Sequence, residues 1–288
     1  MAVLSDIHGN LPALQAVMRD MKRHKPDAVV VAGDAVNRGP FSREVLAIIR
    51  EERWPIVRGN HEQVALDFDT PRMPEWWAAM RLAPRLVAEL EAEIPWIAAW
   101  PDELCLRFRQ AAPLRMVHGV PGNLWKTIYP TTPVEEAAGL LGEPEEDTII
   151  IGHSHLAIDR HIDRWHVINP GSVGCAYHGD GRAYYAILHG DHDGWRAEHH
   201  AVGYDQAPLF AEWERIAFLE HMGPWGRLII EEFRTGRLHR LPLWRWKEEH
   251  HPEAEITDEL VDAFFAIDPM PYYPETHRGV LVDARPAL

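Results

Sequence analysis

The stretch Ala2-Val3-Leu4-Ser5-Asp6-Ile7-His8-Gly9-Asn10 joins an apolar run to a polar, glycine-marked turn near the start of the chain. Its apolar first half predicts a short buried strand, so Asp6 and His8 follow directly where that strand ends. Open α/β sheets form their ligand crevices at the carboxyl ends of strands. The pattern therefore predicts a carboxylate and an imidazole at a sheet edge, although Asp-x-His alone is too common to indicate a function.

Two further strands predicted within residues 1–60 end in the same way. The apolar run 28–32 leads into Gly33-Asp34, and a third strand over 54–58 leads into Gly59-Asn60-His61-Glu62. Apolar residues at helical spacing predict a helix between each pair of strands. This alternation predicts an α/β fold in which successive strands bring polar residues to one sheet edge.

The second half of the chain repeats the pattern at two more strands. An apolar strand over 114–117 ends in His118-Gly119, and one over 148–151 ends in Gly152-His153-Ser154-His155. Period-two patterns separated by turn residues then predict antiparallel strands over 157–162, 165–169, 183–189 and 194–201. Five polar strand ends are thus expected at one crevice.

The domain organisation follows from where this strand pattern stops. Residues 1–205 are predicted to form the domain, with 63–101 as a helical, tryptophan-rich insertion. Residues 206–288 are predicted to form a helical, aromatic-rich C-terminal extension that packs on the domain or on a second copy of the chain. Helices are expected over 206–220, 224–235 and 257–266, followed by an extended proline-rich end.

Composition limits the classes of protein to which the chain can belong. Its 288 residues carry a formal net charge of -15, which argues against a broad nucleic-acid-binding face but not against a small phosphorylated substrate. Cys105 and Cys175 are too few for a disulfide framework or a thiolate metal site. Neither a membrane span nor a leader is apparent, so we expect a cytoplasmic protein without membrane partners.

The strand-end residues together form a candidate metal-binding set. Hard oxygen donors mixed with imidazoles suit Mn²⁺, Fe, Zn²⁺, Co²⁺ or Ni²⁺, and we expect Mn²⁺. Seven ligands are too many for one ion, whereas two ions that share Asp34, on the middle of the first three strands, account for them all. The seven are Asp6, His8, Asp34, Asn60, His118, His153 and His155.

The order, spacing and glycines of these motifs resemble the calcineurin-like metallophosphoesterases over residues 1 to about 200. The resemblance looks closest to the small bacterial phosphodiesterase branch, which has similar turns at 169–174 and 203–205. It implies a four-layer α/β/β/α sandwich of two mixed sheets. It also implies one ion held by Asp6, His8, Asp34 and His155, and a second held by Asp34, Asn60, His118 and His153.

Three other residues are expected to take part in catalysis, in which a hydroxide bridging the two ions attacks the phosphoryl group in line. His61 is expected to act as a general acid on the leaving oxygen, and Arg38 either binds the phosphate or is a surface turn residue. Asn37 occupies the position of an aspartate that pairs with the catalytic histidine in related protein phosphatases. We expect Asn37 to accept a hydrogen bond from His61 without lending it charge, which favours substrates with good leaving groups.

The sequence therefore predicts a metal-dependent phosphoesterase, preferentially a phosphodiesterase of small phosphoester or nucleotide substrates. A protein Ser/Thr or dinucleotide-polyphosphate phosphatase is the alternative, suggested by Arg38-Gly39 and by residues 58–62. A non-catalytic scaffold on the same fold is a third possibility. We disfavour it because every expected ligand and the catalytic histidine are present.

Overall fold

Nine strands form the centre of the molecule, and the computed structural model describes them within residues 1–278. They are β1 (Ala2–Leu4), β2 (Val29–Val31), β3 (Glu103–Leu106), β4 (Leu114–Val117), β5 (Thr148–Ile150), β6 (Ala157–Ile162), β7 (Trp165–Pro170), β8 (Ala183–Asp191) and β9 (Gly194–Val202). One sheet has the order β2-β1-β8-β9 and the other β3-β4-β5-β7-β6. Each contains parallel and antiparallel pairs, so both sheets are mixed.

The period-two alternation of side chains in β1 explains how the layers stack. Ala2 and Leu4 point to the core beneath the helices, whereas Val3 points to the core between the two sheets. That inner core joins Val3 to residues of the second sheet such as Met116 and Ile168. Burying each such aliphatic side chain stabilises the fold by about 1.5–3 kcal/mol.

α-Helices surround the sheets, and eleven of them have both ends within the described residues. They are α1 (Leu11–Met21), α2 (Ser42–Glu52), α3 (Asn60–Asp67), α4 (Ala83–Leu90), α5 (Ile94–Ile97), α6 (Val134–Leu141), α7 (Ala207–Arg215), α8 (Phe218–Met222), α9 (Pro224–Thr235), α10 (Arg240–His250) and α11 (Asp258–Phe265). Helices α1 and α2 cover the first sheet, and α6 covers the second. The predicted four-layer α/β/β/α sandwich with a helical C-terminal region is thus confirmed.

The third strand, predicted over 54–58, is wrong as a regular strand. Only a single bridge joins Ile56 to Val31. Pro55 has no N–H to donate, so β2 pairs with this segment through two hydrogen bonds alone, from Val31 N–H to Pro55 and from Val57 N–H to Val31. The segment nevertheless runs along β2 and delivers residues 59–62 to the sheet edge.

The C-terminal extension differs from the prediction at two points. The helix predicted over 206–220 is broken at Ala217, whose left-handed backbone (φ 51°) separates α7 from α8. Helix α10 lies between the helices predicted over 224–235 and 257–266, where no helix was expected. Pro242 is tolerated because it lies in the first turn of α10, where backbone N–H groups lack intrahelical partners anyway. The final part of the extended proline-rich end predicted after residue 266, 279–288, lies outside the described residues.

The C-terminal extension packs on the domain beside the sheet edge. Leu209 and Trp213 of α7 and Phe233 of α9 share a buried cluster with Cys175 and Tyr177 of the domain. Helices α10 and α11 then pack against α9. None of the helices within residues 1–278 combines the length and the apolar character needed to cross a bilayer.

A half-buried histidine near β6 is expected to make stability depend on pH. His178 Nε2 accepts a hydrogen bond from the Ala157 N–H (3.1 Å), and its ring stacks on Tyr184. Burial lowers the pKa of His178 to about 4, although Asp180 opposes this. The folded state therefore disfavours protonation, so stability present above the unfolded pKa of about 6.5 is lost as pH falls from there towards 4.

We expect the His178→Gln variant to lose about 2 kcal/mol less free energy of unfolding than the native chain between pH 7 and pH 5. Glutamine can accept the same backbone hydrogen bond without titrating. Urea denaturation of both proteins at the two pH values measures the difference. Parallel pH dependences for the two proteins would contradict the role given to His178.

Candidate metal centre and adjoining cavity

Backbone conformation at the strand ends is unusual and points several side chains to one place. Five of the seven predicted ligands have a left-handed backbone, with φ between 48° and 65°: Asp6, His8, Asp34, His153 and His155. Such conformations cost about 1–3 kcal/mol each and cluster at functional sites. Gly59 is needed nearby because a Cβ atom there would lie 2.2 Å from Asp34 Oδ1.

The first predicted ligand set is assembled from residues far apart in sequence. His8 Nε2 lies 3.1 Å from His155 Nε2, and Asp6 Oδ1 lies 3.4 Å from His155 Nε2 and 3.8 Å from His8 Nε2. All three side chains are buried. Their ligand atoms therefore meet around one point.

The second predicted set has similar spacing. Asn60 Oδ1 lies 3.0 Å from His118 Nε2 and 2.8 Å from His153 Nδ1, and these two ring nitrogens are 3.3 Å apart. Asp34 Oδ2 lies 3.3 Å from His118 Nε2 in this set and 3.7 Å from His8 Nε2 in the other. Asp34 is thus positioned between the two sets, as a bridging carboxylate would be.

The hydrogen bonds behind the imidazoles show that the first set fits a cation. His8 Nδ1 faces the Val36 carbonyl and His155 Nδ1 faces the Cys175 carbonyl, which can only accept, so both rings carry their proton on Nδ1. Their Nε2 lone pairs then face each other at 3.1 Å with no proton between them. Asp6 Oδ1 is also buried without a hydrogen-bond partner among the described residues. A divalent ion would satisfy all three atoms.

The pKa values of three predicted ligand histidines are also consistent with a metal site. Burial, with a further contribution from Arg38, lowers the pKa of His8 and His155 well below the ordinary value. Burial, with His118 next, lowers that of His153 to about 4. These rings are therefore neutral near pH 7, which is the form that binds metal ions.

The buried side chains of Asp6, Asp34 and His118 shift one another's pKa values. Burial would lower the pKa of His118, but Asp34 outweighs it and raises that pKa to about 10. Burial raises the pKa of Asp6 to about 7, although His118 opposes it. Without a cation, a proton on His118 thus neutralises Asp34, and metal binding would displace it.

His61 lies beside the ligand sets with its ring held by Asn37. Asn37 Oδ1 accepts the Arg38 backbone N–H (2.8 Å), so its amide nitrogen faces His61 Nδ1 at 2.6 Å and must donate. The expectation that Asn37 accepts from His61 is therefore wrong in direction. Burial lowers the pKa of His61 to about 3 despite Asp34, so the ring is neutral and carries its proton on Nε2.

Arg38 is half-buried, which does not fit the surface-turn alternative. Its Nη1 donates to the hydroxyl of Tyr177 (2.6 Å). Its Nε is buried and has no hydrogen-bond partner within residues 1–278. Arg38 also lines the cavity beside His61, so donors remain available there for an anion.

Glu62 organises the loops, a role that sequence reasoning missed. Its buried carboxylate accepts backbone N–H groups of four residues, Gly59, Asp34, Ala35 and Val36, at 2.8–3.2 Å. The signal was its position three residues after the helix N-cap, where a glutamate typically closes a capping box. Glu62 thereby fixes the loops that carry Asp34 and Asn60.

A cavity of about 340 Å³ opens beside the metal centre. Its walls include Asn60 and His61 from the centre and Trp125 from the loop after β4. Among the residues that follow His118, Trp125 lines this cavity, whereas Asn123 and Lys126 do not. Further walls come from the segment before α4 and from the C-terminal extension, whose contribution sequence reasoning missed.

A four-layer sandwich with this donor set at its strand ends is the arrangement of the metallophosphoesterases. Residues 1–193 match the model of the calcineurin-like phosphoesterase superfamily domain. The chain belongs to that superfamily, which confirms the resemblance found in the sequence motifs. Members of the family typically bind divalent metals, and the clusters described above are candidate sites for them.

Individual relatives resemble this chain over different shares of its length. A metallophosphoesterase from Sphaerobacter thermophilus, of known structure, is 25% identical, with a TM-score of 0.63 over 82% of this chain and 98% of its own. Protein MJ0912 of Methanocaldococcus jannaschii is 26% identical over 71% of this chain and 87% of its own length. Serine/threonine-protein phosphatase 1 of Salmonella typhimurium is 35% identical over 108 residues, 33% of this chain and only 50% of the phosphatase.

Proposed function

We propose that this protein is a phosphodiesterase that hydrolyses small phosphoester or nucleotide substrates with two bound divalent ions, preferentially Mn²⁺. The observation that carries the proposal is the pair of ligand sets that share Asp34 Oδ2, at 3.3 and 3.7 Å from one imidazole of each set. Oxygen and imidazole donors without thiolate favour Mn²⁺ over a structural zinc ion.

Asp6, His8, Asp34 and His155 would hold one ion, and Asp34, Asn60, His118 and His153 the other. When bound, such ions supply Lewis acidity and a water-derived nucleophile near neutral pH.

The chain's own residues orient the substrate and stabilise its leaving group. Arg38, with Nη1 fixed on Tyr177, lines the cavity, so its other guanidinium N–H groups can donate to a phosphate oxygen there. His61, neutral and protonated on Nε2, donates to the leaving oxygen as charge develops there. A neutral imidazole can act in this way without being a strong acid. Substrates with good leaving groups depend least on this hydrogen bond from His61.

A protein Ser/Thr phosphatase is the second candidate, favoured by the 35% identity to the Salmonella enzyme over 108 residues. Asn37 argues against it, since it donates to His61 and lends no negative charge. The C-terminal extension also bounds the cavity, whose volume of about 340 Å³ suits a small substrate better than the surface of a folded protein.

The test compares bis(p-nitrophenyl) phosphate with p-nitrophenyl phosphate in the presence of Mn²⁺. Both release the same leaving group, and the predominantly apolar cavity can accept the second aryl ring of the diester. We expect kcat/KM to be at least about tenfold higher for the diester, the equivalent of about 1.4 kcal/mol. A preference for the monoester would favour the phosphatase, and no hydrolysis of either by the metal-loaded protein would favour a scaffold.

A further inference from the structure

The C-terminal extension forms one wall of the cavity beside the metal centre. This wall consists of Met222, Trp225 and Ile229 from helices α8 and α9, and of Arg240 at the start of α10. The match to the family model ends at residue 193, so this wall lies outside the residues that the model covers. Ligand recognition by this wall is therefore not implied by membership of the superfamily.

The charge of the cavity walls contrasts with that of the whole protein. Arg38, Arg81 and Arg240 line the cavity, and among the described residues no aspartate or glutamate does. The protein as a whole carries a formal net charge of -15. Three guanidinium groups around one small space in so acidic a chain indicate an anionic ligand with more than a single negative charge.

Arg240 is held in place from behind by a buried carboxylate. Its Nε lies 3.0–3.1 Å from both oxygens of Glu232, and its Nη2 lies 2.9 Å from Glu232 Oε2. Glu232 is fully buried and also accepts the backbone N–H groups of His239 and Arg240. A guanidinium fixed in this way loses little side-chain freedom when it binds an anion.

The same carboxylate connects Arg240 to Arg38. The Tyr177 hydroxyl lies 3.4 Å from Glu232 Oε2 and accepts a hydrogen bond from Arg38 Nη1. One carboxylate therefore supports two cavity arginines and neutralises only one of them. Burial would raise the pKa of Glu232, but Arg240 and Arg38 hold it below its ordinary value, so the group remains charged.

We infer that Arg240 binds a second phosphate group of the substrate, and that the cavity is built for an aromatic phosphoester carrying two phosphates, such as a nucleoside bisphosphate ester. This inference rests on the proposed function, in which the two ions and Arg38 take the scissile phosphate. Trp125 and Trp225 provide flat apolar walls for the aromatic group. Glu232 is then a positioning residue for Arg240.

The experiment uses two esters with the same scissile bond and leaving group. Thymidine 5′-(p-nitrophenyl phosphate) carries one phosphate, and its 3′-phosphorylated form carries two. For the native protein we expect the 3′-phosphate to raise kcat/KM at least about tenfold, chiefly through KM, as a charge-assisted bidentate contact should. The Arg240→Met variant should lower this ratio to about one, and Arg240→Lys should retain part of it.

Arg234→Met is the matched control, because Arg234 lies on α9 close to Glu232 but is exposed and does not line the cavity. It should keep the native ratio. The Glu232→Gln variant should lower the ratio without changing the metal content, since it loosens Arg240 and leaves the ligand sets intact. A native ratio near one, or a ratio unchanged in Arg240→Met, would overturn the inference.

Binding separates this inference from the proposed function. Isothermal titration calorimetry should show that thymidine 3′,5′-bisphosphate binds the native protein more tightly than thymidine 5′-phosphate, and that Arg240→Met removes the difference. If neither ester is hydrolysed but this pattern of binding holds, the proposed function fails and the anion site stands. If both esters are hydrolysed and the two nucleotides bind alike, the function stands and the anion site fails.

Discussion

The Asp34→Asn variant is expected to bind less than one equivalent of metal and to lose at least about 10³-fold in phosphodiester hydrolysis. Asp34 Oδ2 is the atom that both ligand sets share, at 3.3 Å from His118 Nε2 and 3.7 Å from His8 Nε2. An amide in its place brings no charge to balance two dications, so both sites should weaken together. Plasma emission spectroscopy of the desalted protein and kcat/KM for bis(p-nitrophenyl) phosphate measure the two effects.

Asp6→Asn is the matched control, since it makes the same chemical change within one set only. Asp6 Oδ2 accepts from Ser5 and from the His153 N–H, whereas Oδ1 is the atom left without a partner. We expect this variant to lose one ion, to retain the other and to keep its fold by circular dichroism. Retention of both metals and full activity in Asp6→Asn would show that the ligand assignment is wrong.

The motifs at the strand ends were sufficient to predict which residues converge within each sheet. Asp6, Asp34 and Asn60 follow apolar runs that lie side by side in or along the first sheet, and His118 and His153 follow parallel strands of the second. That the two groups face each other depends on how the sheets stack, which only the family resemblance implied. The argument within one sheet needs only local pattern and sheet geometry. It holds even at residues 54–58, where the strand is reduced to one bridge, because the chain still runs beside β2.

Contacts between distant segments could not be predicted in this way. Arg38 meets Tyr177 across 139 positions, and Tyr177 meets Glu232 of the extension across a further 55. No local periodicity encodes which faces of α9 and α10 pack on the domain, so the cavity wall appears only in the folded chain. The orientation of the Asn37 amide could not be predicted either, because the backbone N–H of Arg38 sets it in the folded turn.

Replacing His61 with alanine is expected to reveal its role through the identity of the leaving group. The ring is neutral, its Nδ1 accepts from Asn37, and its Nε2 proton is available to the leaving oxygen. Removing one such donor typically costs about 10²–10³-fold in kcat. We expect a loss of that size for a diester with an alkoxide leaving group, such as a dinucleotide, and a much smaller loss for bis(p-nitrophenyl) phosphate, whose leaving group carries its charge without help.

The same variant distinguishes a hydrogen-bond donor from a metal ligand, because His61 also lies within ligand distance of His8 and Asp34. His61 Nε2 is 3.9 Å from Asp34 Oδ2, and the side chain is 16% exposed, whereas the side chains of the predicted ligands His8 and His118 are fully buried. The donor role therefore requires His61→Ala to keep both metals, and His61→Gln, which retains an N–H group, to recover part of the loss with the alkoxide substrate. Loss of one ion, or an equal loss of activity with both leaving groups, would instead make His61 a ligand and leave the leaving oxygen to the metal ions alone.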